Sequence, residues 1–366
     1  MRLTLSQLRH DLQKVERSGM PKVLFWAIIN HCNAVCTSCD FYLVPKASKT
    51  HLSLDIAKRA IAILAQSDFR LISITGGEPF MNPDFFAICD AITAQGLEIS
   101  YIPTNGLLVN EESARRLTAV NVKVVGVSVE PIGADGMGAT RKIKNFEQVI
   151  VQAREHLDRA GVRNYAGVLL SRATLDIPKT MKFIRDIGFT KVVFSYPQVE
   201  QKSSYLAARS IPEVDLSLDQ VESMVQAIKE AKRSFSEVAI YNTDESLNDL
   251  VRFYRNEQRR YPCWGGRRLF YMDWNLDVYK CFTLPVKYGN LLEMGKLDIE
   301  EQEGCDRCSQ QAFRDFGPLY SAVQAGVDAL SQFKAGHPLQ ALRTVTSPDN
   351  RGGIRAFWET YRGGFL

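Results

Sequence analysis

Short apolar runs alternate with amphipathic helical segments from residue 23 to about residue 200. The runs are rich in β-branched residues and predict strands at 23–30, 71–77, 98–106, 122–130, 165–171 and 191–197. Apolar residues at helical spacing predict helices between them, most clearly at 54–66, 84–96 and 146–161. Strands that are apolar on both faces are typical of parallel sheets covered by helices. Six such units in series predict an α/β fold whose parallel sheet curves into a barrel or part of one, with a doubly wound open sheet as the alternative.

The pattern changes in the second half of the chain. Long charged helices are predicted near 219–235 and 245–260, and the chain beyond 310 is helical in pattern again. Between them lies a stretch of aromatics, glycines and cysteines that predicts a small β-hairpin with its turn at Asn275, Leu276 and Asp277. We therefore expect an N-terminal helical extension at 1–22, a barrel at 23–215, a helical linker at 216–260, a small cysteine-rich domain at 261–310 and a helical tail at 311–366.

Composition and charge exclude several classes of protein. The chain has 366 residues, of which 45% are hydrophobic and 23% charged, so it is an ordinary globular protein and not a disordered one. A net charge of +4, evenly spread, does not indicate a nucleic-acid partner. The longest apolar runs are shorter than a membrane span, and the N-terminus lacks the apolar centre of a signal peptide. We expect a cytoplasmic protein.

Three of the eight cysteines follow the first strand directly. Cys32, Cys36 and Cys39 have the spacing C-x3-C-x2-C. Cytosolic thiols are kept reduced, so this clustering indicates a metal site, at the strand end where barrels place their active sites. A cubane iron-sulfur cluster needs one ligand at each of four iron atoms, and three cysteines leave one iron open. A zinc site completed by His31 or Asp40, or three unligated thiols, remains the alternative.

Further motifs stand at the ends of the next three predicted strands: TGGEPF at 75–80, PTNG at 103–106 and SVE at 128–130. Together with the cysteine motif CNAVCTSC, they resemble the motifs of the radical S-adenosylmethionine (SAM) enzymes. The resemblance covers about residues 23 to 200, and the joint pattern is far more specific than any single motif. It implies a partial (β/α)6 TIM-like barrel. It also implies that Cys32, Cys36 and Cys39 bind a 4Fe-4S cluster whose open iron is chelated by the amino and carboxylate groups of SAM.

The resemblance also implies roles for individual residues around SAM. An electron from an external donor such as flavodoxin or ferredoxin would cleave SAM to methionine and a 5′-deoxyadenosyl radical, which takes a hydrogen atom from the substrate. Residues of the strand-end motifs would contact the methionine and ribose parts of SAM: Gly76, Gly77, Glu78, Pro79, Asn105, Ser128 and Glu130. Arg141 would hold the SAM carboxylate, or is an exposed residue at a helix start. Ser38 stands where the family usually has an aromatic residue, so Phe41 or Tyr42 is expected to cover the adenine.

A second set of four cysteines has the spacing C-x17-C-x23-C-x2-C: Cys263, Cys281, Cys305 and Cys308. Four cysteines suit zinc and 4Fe-4S equally. The surrounding sequence resembles the auxiliary-cluster domain of many radical SAM enzymes, in its one-cluster twitch form rather than the two-cluster SPASM form. With all four irons ligated by protein, such a cluster would pass electrons and permit a net oxidation of the substrate. A structural cluster or zinc remains the alternative. Cys89, in a helical pattern, is expected to be a buried thiol.

Substrate residues are the least specific part of the prediction. Tyr196, Tyr271 and Asp273 are weak candidates for proton transfer, and each is equally an ordinary packing or turn residue. Ser195, Trp274 and the aromatics and arginines of the tail are further candidates. Only 22 residues precede the first strand, which favours a small-molecule substrate over a leader peptide held by an N-terminal domain. Oxidation of a small molecule is therefore the first hypothesis. Peptide maturation, a non-redox radical reaction and a non-catalytic zinc protein are the others.

Overall fold

Seven parallel strands follow one another in chain order in the computed structural model, which describes residues 13, 15, 20–197, 212–297, 299, 304–306 and 308–364. They are β1 Lys22–Ala27, β2 Phe69–Thr75, β3 Glu98–Thr104, β4 Val125–Ser128, β5 Asn164–Leu169, β6 Lys191–Ser195 and β7 Ala239–Ile240. Three more strands extend the sheet: β8 Leu269–Met272, β9 Asp277–Tyr279 and β10 Lys287–Asn290. The spatial order is β10-β9-β8-β1-β2-β3-β4-β5-β6-β7.

This strand order decides between the two predicted architectures. A doubly wound sheet reverses direction beside its first strand, whereas here β1 to β7 advance in one direction. The outer strands β7 and β10 do not meet, so the sheet is open. The prediction of an α/β fold with a partial barrel is confirmed. The two-residue strand β7 is too short to produce an apolar pattern, which is why the sequence predicts six strands and not seven.

Helices cover the outer face of this sheet and continue to the end of the described chain. Those of the first part are α1 Leu54–Ala65, α2 Phe85–Ala94, α3 Glu111–Ala119, α4 Phe146–Arg159 and α5 Ile177–Asp186. Those of the second part are α6 Leu218–Ser234, α7 Asp244–Tyr254, α8 Leu291–Met294, α9 Gln311–Lys334, α10 Pro338–Thr346 and α11 Pro348–Arg362. None of these helices combines the length and the apolar composition that a membrane-spanning segment requires.

Local sequence sets the helix bounds. Helix α6 begins after Ser217, whose hydroxyl accepts the N–H of Gln220 in a capping box. Helix α7 ends at Tyr254, six residues before the predicted end, because Asn256 adopts a left-handed φ of 56° and interrupts the helical backbone. Sequence patterns locate helices well and their last turns poorly.

The predicted hairpin is joined to the barrel. Strand β8 pairs in parallel with β1, with Val23 opposite Leu269 and Trp26 opposite Met272. Strand β9 then returns antiparallel to β8. A compact apolar cluster fills the space between β1, β8 and α9, and it includes Val23, Phe25, Leu269, Tyr271, Phe282 and Phe313 together with Cys263 and Cys281. The second cysteine set thus borders the inner face of the first strand.

Candidate active site

The first cysteine loop lies at the carboxyl end of β1 and is held by a second loop. The N–H of Thr37 donates to the carbonyl of Thr140 at 2.9 Å, and the N–H of Lys142 donates to Val35 at 2.8 Å. These bonds flank an antiparallel bridge between Cys36 and Arg141. The loop that follows β4 therefore fixes the backbone of the central cysteine.

The three thiols of this loop are partly buried. Burial raises the pKa of Cys32, Cys36 and Cys39 to about 11 in each case. Thiolates at neutral pH therefore need a positive partner, and a bound metal centre supplies one. The donor set is sulfur alone, which suits iron-sulfur chemistry. The residues present fit a cluster with one open iron.

Glycines after β2 allow two strand ends to touch. The N–H of Gly77 donates to Ile29 at 3.1 Å, and the N–H of Glu78 donates to His31 at 3.2 Å. A Cβ at Gly77 would lie 2.0 Å from the carbonyl oxygen of His31, and Gly76 has a φ of 138° that side chains disfavour. The glycine pair therefore lets the chain after β2 support the start of the cysteine loop.

Glu78 and Asn105 connect β3 to that loop. Buried Glu78 accepts the hydroxyl of Thr104 at 2.9 Å and the N–H of Asn105 at 2.8 Å. Burial raises the pKa of Glu78 to about 7, against the effect of these hydrogen bonds. The side-chain amide of Asn105 donates to Sγ of Cys32 at 3.6 Å and to Asn33 at 2.7 Å. The motif after β3 thus reaches the first cysteine directly.

Glu130 and Arg141 form a buried ion pair beside Cys36. The Glu130 carboxylate accepts the guanidinium Nη1 of Arg141 at 2.9 Å and its N–H at 2.6 Å. It also accepts the N–H of Thr140 at 2.8 Å and the hydroxyl of the same residue. Arg141 is therefore a partly buried residue of the site and not an exposed helix-start residue: its side chain is 15% exposed, and α4 begins only at Phe146.

The remaining predicted SAM contacts lie around this loop. Pro79 is buried at the start of a short 3-10 helix, and Ser128 is the half-buried last residue of β4. Phe41 is buried with its ring edge-on to Trp274 of the hairpin turn, at 6.3 Å between centroids. Tyr42 is half-buried. Phe41 therefore links the cysteine loop to the C-terminal part of the chain.

The second cysteine set gathers between β8, β9 and the start of α9. Cys263 and Cys281 are buried, and Cys305 and Cys308 are half-buried. A hydrogen bond with Cys305, together with the charge of Arg259, lowers the pKa of Cys263 to about 5, whereas burial raises the pKa of Cys281 to about 11. Sγ of Cys263 accepts the N–H of Gly265 at 3.4 Å, and Sγ of Cys281 accepts the N–H of Leu284 at 3.3 Å. Such N–H bonds to sulfur are among the groups that tune iron-sulfur centres.

In the described residues, no three histidine, cysteine, aspartate or glutamate side chains converge tightly enough to hold a single metal ion. A four-iron cluster is larger than one ion, so its ligands stand farther apart. All four cysteines of the second set are sulfur donors brought to one region by β8, β9 and α9, and they fit such a cluster.

The three weak candidates for proton transfer are all buried. The hydroxyl of Tyr196 donates to Asp315 of α9 at 2.8 Å. Asp273 accepts the N–H groups of Asn275 and Asp277 at 2.9 and 3.0 Å, the contacts of a turn residue. Tyr271 packs against Phe282 in the apolar cluster, at 4.9 Å between ring centroids. Their catalytic roles stay predictions.

Residues that the motifs do not predict complete the interior. Asp315 lies on a mostly apolar face of α9. Its carboxylate accepts hydrogen bonds from the side-chain amide of Asn242 at 3.3 Å and from the hydroxyl of Tyr196. Burial raises the pKa of Asp315 to about 6. A charged residue inside the apolar stripe of α9 is the sequence signal that could have revealed it. Tyr101 of β3 and Tyr165 of β5 stack at 5.7 Å over the intervening strand β4, and Gly126 of β4 leaves room for them, since its Cβ would lie 2.5 Å from the Tyr101 hydroxyl.

Comparison with known proteins identifies the barrel. The family model described as the Radical SAM superfamily matches residues 26–184. AdoMet-dependent heme synthase of Methanosarcina barkeri is 24% identical over 294 residues, which are 78% of this chain and 84% of the synthase. Mycofactocin maturase MftC of Mycobacterium tuberculosis is 31% identical over 161 residues, 44% of this chain and 40% of the maturase. The match to the maturase therefore spans less than half of either protein.

Solved structures share the fold at low identity. The native anSMEcpe structure with bound AdoMet has a TM-score of 0.56 and 17% identity, covering 75% of this chain and 79% of that one. Streptococcus suis SuiB bound to S-adenosylmethionine has a TM-score of 0.56 and 12% identity, covering 78% of this chain and 67% of SuiB. At these identities the likeness shows the fold alone.

Proposed function

We propose that this chain is a radical SAM enzyme that oxidises a small molecule, because residues 26–184 match the family model of the radical SAM superfamily. The observation that carries the proposal is the pairing of two cysteine sets. One offers three thiols at the end of β1, and the other offers four thiols, two of which, Cys263 and Cys281, lie in the apolar cluster that packs on β1. When bound, a 4Fe-4S cluster with an open iron supplies the electron that cleaves SAM to the 5′-deoxyadenosyl radical, which removes a hydrogen atom from the substrate.

The chain's own residues would hold and orient these groups. Cys32, Cys36 and Cys39 would ligate the first cluster, and Asn105 would fix the position of the Cys32 sulfur through its amide. The chain from Gly76 to Pro79 would approach the amino group of SAM, with space provided by the glycines. Glu130 would hold Arg141 beside Cys36. The guanidinium N–H groups of Arg141 that do not bond to Glu130 would donate hydrogen bonds to the SAM carboxylate.

The second cysteine set would hold a 4Fe-4S cluster that accepts the second electron of the oxidation. Its four ligands are Cys263, Cys281, Cys305 and Cys308. The burial of two of these cysteines among aromatic side chains would exclude water from most of the centre. An external donor such as flavodoxin or ferredoxin would supply the reducing electron, and the cytoplasmic location stays a prediction.

The relatives support a small-molecule substrate and also keep a second candidate. Heme synthase is similar over most of both chains, and a pre-heme d1 synthase of Dinoroseobacter shibae is 24% identical over 52% of this chain. A cyclic aromatic metabolite is therefore the first substrate class to assay. Peptide maturation is the second, because the maturase MftC has the higher identity, 31% over 161 residues.

Metal analysis tests the proposal. After anaerobic reconstitution we expect about eight iron atoms per chain and no zinc, falling to about four iron atoms when Cys32, Cys36 and Cys39 are all replaced by alanine. Cys89→Ala is the matched control, because Cys89 is a fully buried thiol of α2 remote from both sets, and it should keep all the iron. About four iron atoms with one zinc, the iron disappearing in the triple variant, would contradict an oxidative role and favour a non-redox radical reaction.

A further inference from the structure

Two buried arginines share one carboxylate beside the second cysteine set. The side chains of Arg314, Arg259 and Asp249 are 1%, 3% and 2% exposed. Nη1 of Arg314 donates to the Asp249 carboxylate at 2.5 Å and to its carbonyl at 2.7 Å. Nε of Arg259 lies 3.6 Å from the same carboxylate oxygen, too far for a hydrogen bond. Two guanidinium groups thus face a single negative charge.

The other contacts of this group do not balance its charge. Nη2 of Arg259 donates to the carbonyl of Phe313 at 2.6 Å, while its Nε and Nη1 have no hydrogen-bond partner in the described part of the chain. The guanidinium of Arg314 lies 5.0 Å from the ring centre of Phe253. The neighbouring Glu245 is already paired with Arg260 at 3.1 Å. Among the described residues, one of the two buried positive charges is therefore left without an anion of its own, and a buried unpaired charge is costly for a folded protein.

The excess charge lies at the edge of the cysteine set. Nε of Arg314 donates to the carbonyl of Cys308 at 2.9 Å. Arg259 is four residues before Cys263 in the chain. The contact with Cys308 therefore places this arginine pair beside the second cysteine set.

We propose that Arg259 and Arg314, held by Asp249, are the built-in counter-charge of an anionic metal-thiolate centre at the second cysteine set. The inference rests on the proposed second 4Fe-4S cluster. Four thiolates make such a centre negative, and reduction adds one more negative charge. Buried cations stabilise the reduced form more than the oxidised form, so the pair raises the reduction potential and makes the cluster a better electron acceptor. Both arginines are positioning residues, because they act through the cluster.

The reduction potential tests this role directly. In the background that lacks Cys32, Cys36 and Cys39, only the second cluster remains, and its potential can be followed by electron paramagnetic resonance during a redox titration. Arg259→Met keeps an unbranched side chain as far as the position of Nε and removes the charged guanidinium. We expect its equilibrium constant for one-electron reduction to fall about tenfold, which corresponds to about 59 mV. Asp249→Asn increases the excess positive charge and should shift the potential in the opposite direction.

Controls separate charge from structure. Arg252→Met removes a half-exposed arginine paired with Glu257 and should leave the potential unchanged. Arg259→Lys should restore most of the wild-type potential, because it restores the charge. If Arg259→Met loses the cluster and Arg259→Lys keeps it, the result also supports the inference. If both variants lose the cluster, the role of Arg259 is steric and the inference is overturned. An unchanged potential in Arg259→Met overturns the inference alone, while absence of iron from the background protein overturns the proposed function.

Discussion

The Glu130 carboxylate accepts two hydrogen bonds from Arg141, one from the backbone N–H at 2.6 Å and one from the guanidinium at 2.9 Å. The backbone of Arg141 forms the bridge to Cys36, so one buried carboxylate controls both a predicted SAM contact and a predicted iron ligand. This relationship cannot be read from the sequence, because the two residues belong to different segments of the loop after β4 and the cysteine lies about one hundred residues earlier.

Glu130→Gln should weaken SAM binding. The Glu130 carboxylate accepts four hydrogen bonds from Thr140 and Arg141. In glutamine an NH2 group replaces one carboxylate oxygen, so at least one of these N–H or O–H groups would face another donor and lose its acceptor. Hydrogen bonds to charged groups contribute about 1.5–3 kcal/mol, so we expect the dissociation constant of SAM to rise about tenfold or more in anaerobic calorimetry. Glu147→Gln, at an exposed position of α4, is the control. Equal affinity in both variants would contradict the role of Glu130.

Gly77→Ala should remove the first cluster. The new Cβ would lie 2.0 Å from the carbonyl oxygen of His31, and this backbone contact cannot relax without moving the cysteine loop. We expect about half of the iron to be lost while the second set keeps its own. Gly167→Ala in β5 places a Cβ 3.5 Å from the carbonyl oxygen of Val127 in β4, an ordinary contact, and should keep the full iron content. Full iron in Gly77→Ala would show that the loop tolerates displacement.

The two cysteine sets should have separable effects on SAM cleavage. Cys36→Ala removes one ligand of the open cluster, and we expect formation of 5′-deoxyadenosine from SAM to disappear. Cys281→Ala disturbs only the second set, so 5′-deoxyadenosine should still form while the oxidised product is lost. Liquid chromatography of reactions with dithionite as the reductant measures both products, and Cys89→Ala should match the wild type. Retained 5′-deoxyadenosine in Cys36→Ala would refute the assignment of the first set.

Asp315 should make stability depend on pH. Burial raises the pKa of Asp315 to about 6 from a reference near 4, so the folded chain binds the proton more tightly than the unfolded chain. The stabilising contribution is complete at low pH and is lost as the pH rises through 6. Between pH 5 and pH 7 the free energy of unfolding should fall by about 1 kcal/mol from this group.

Asp315→Asn removes that titration. In anaerobic thermal unfolding, the difference in midpoint between pH 5 and pH 7 should be smaller for the variant than for the wild type. The amide can still accept the hydroxyl of Tyr196, so the comparison changes the charge more than the contact. The same pH dependence in both proteins would show that Asp315 is ionised throughout this range.

Much of the barrel could be predicted from the sequence because its signals are local. Apolar strands, intervening helices and the motifs at four strand ends require only neighbouring residues. The predicted fold class is confirmed, and the radical SAM family model matches residues 26–184. The cysteine positions also predict which loop carries the site, and that assignment stays a prediction. Helix ends were less predictable, as Asn256 at the end of α7 shows, since a single backbone angle decided them.

Contacts between distant segments could not be predicted. The pairing of β8 with β1 depends on a register that no local pattern contains, because β8 follows β1 by more than 240 residues. The hydrogen bond from Asn105 to Cys32 and the sharing of Asp249 by two arginines depend on the same long-range packing. A single sequence shows that these residues are charged or polar and gives no information about their partners.

The pairing of β8 with β1 also sets the distance between the two cysteine sets. Cys32 follows β1, whereas Cys263 precedes the parallel strand β8, and Cys281 follows β9, which runs back in the opposite direction. The two cysteine sets therefore lie at opposite ends of the β1–β8 strand pair. A six-residue strand such as β1 is roughly 20 Å long. The distance for electron tunnelling between the two cysteine sets would then depend on the length of the strand backbone and not on any one side chain. A one-residue insertion in β1 would alter that distance and turn the strand's inner face outward at the same time.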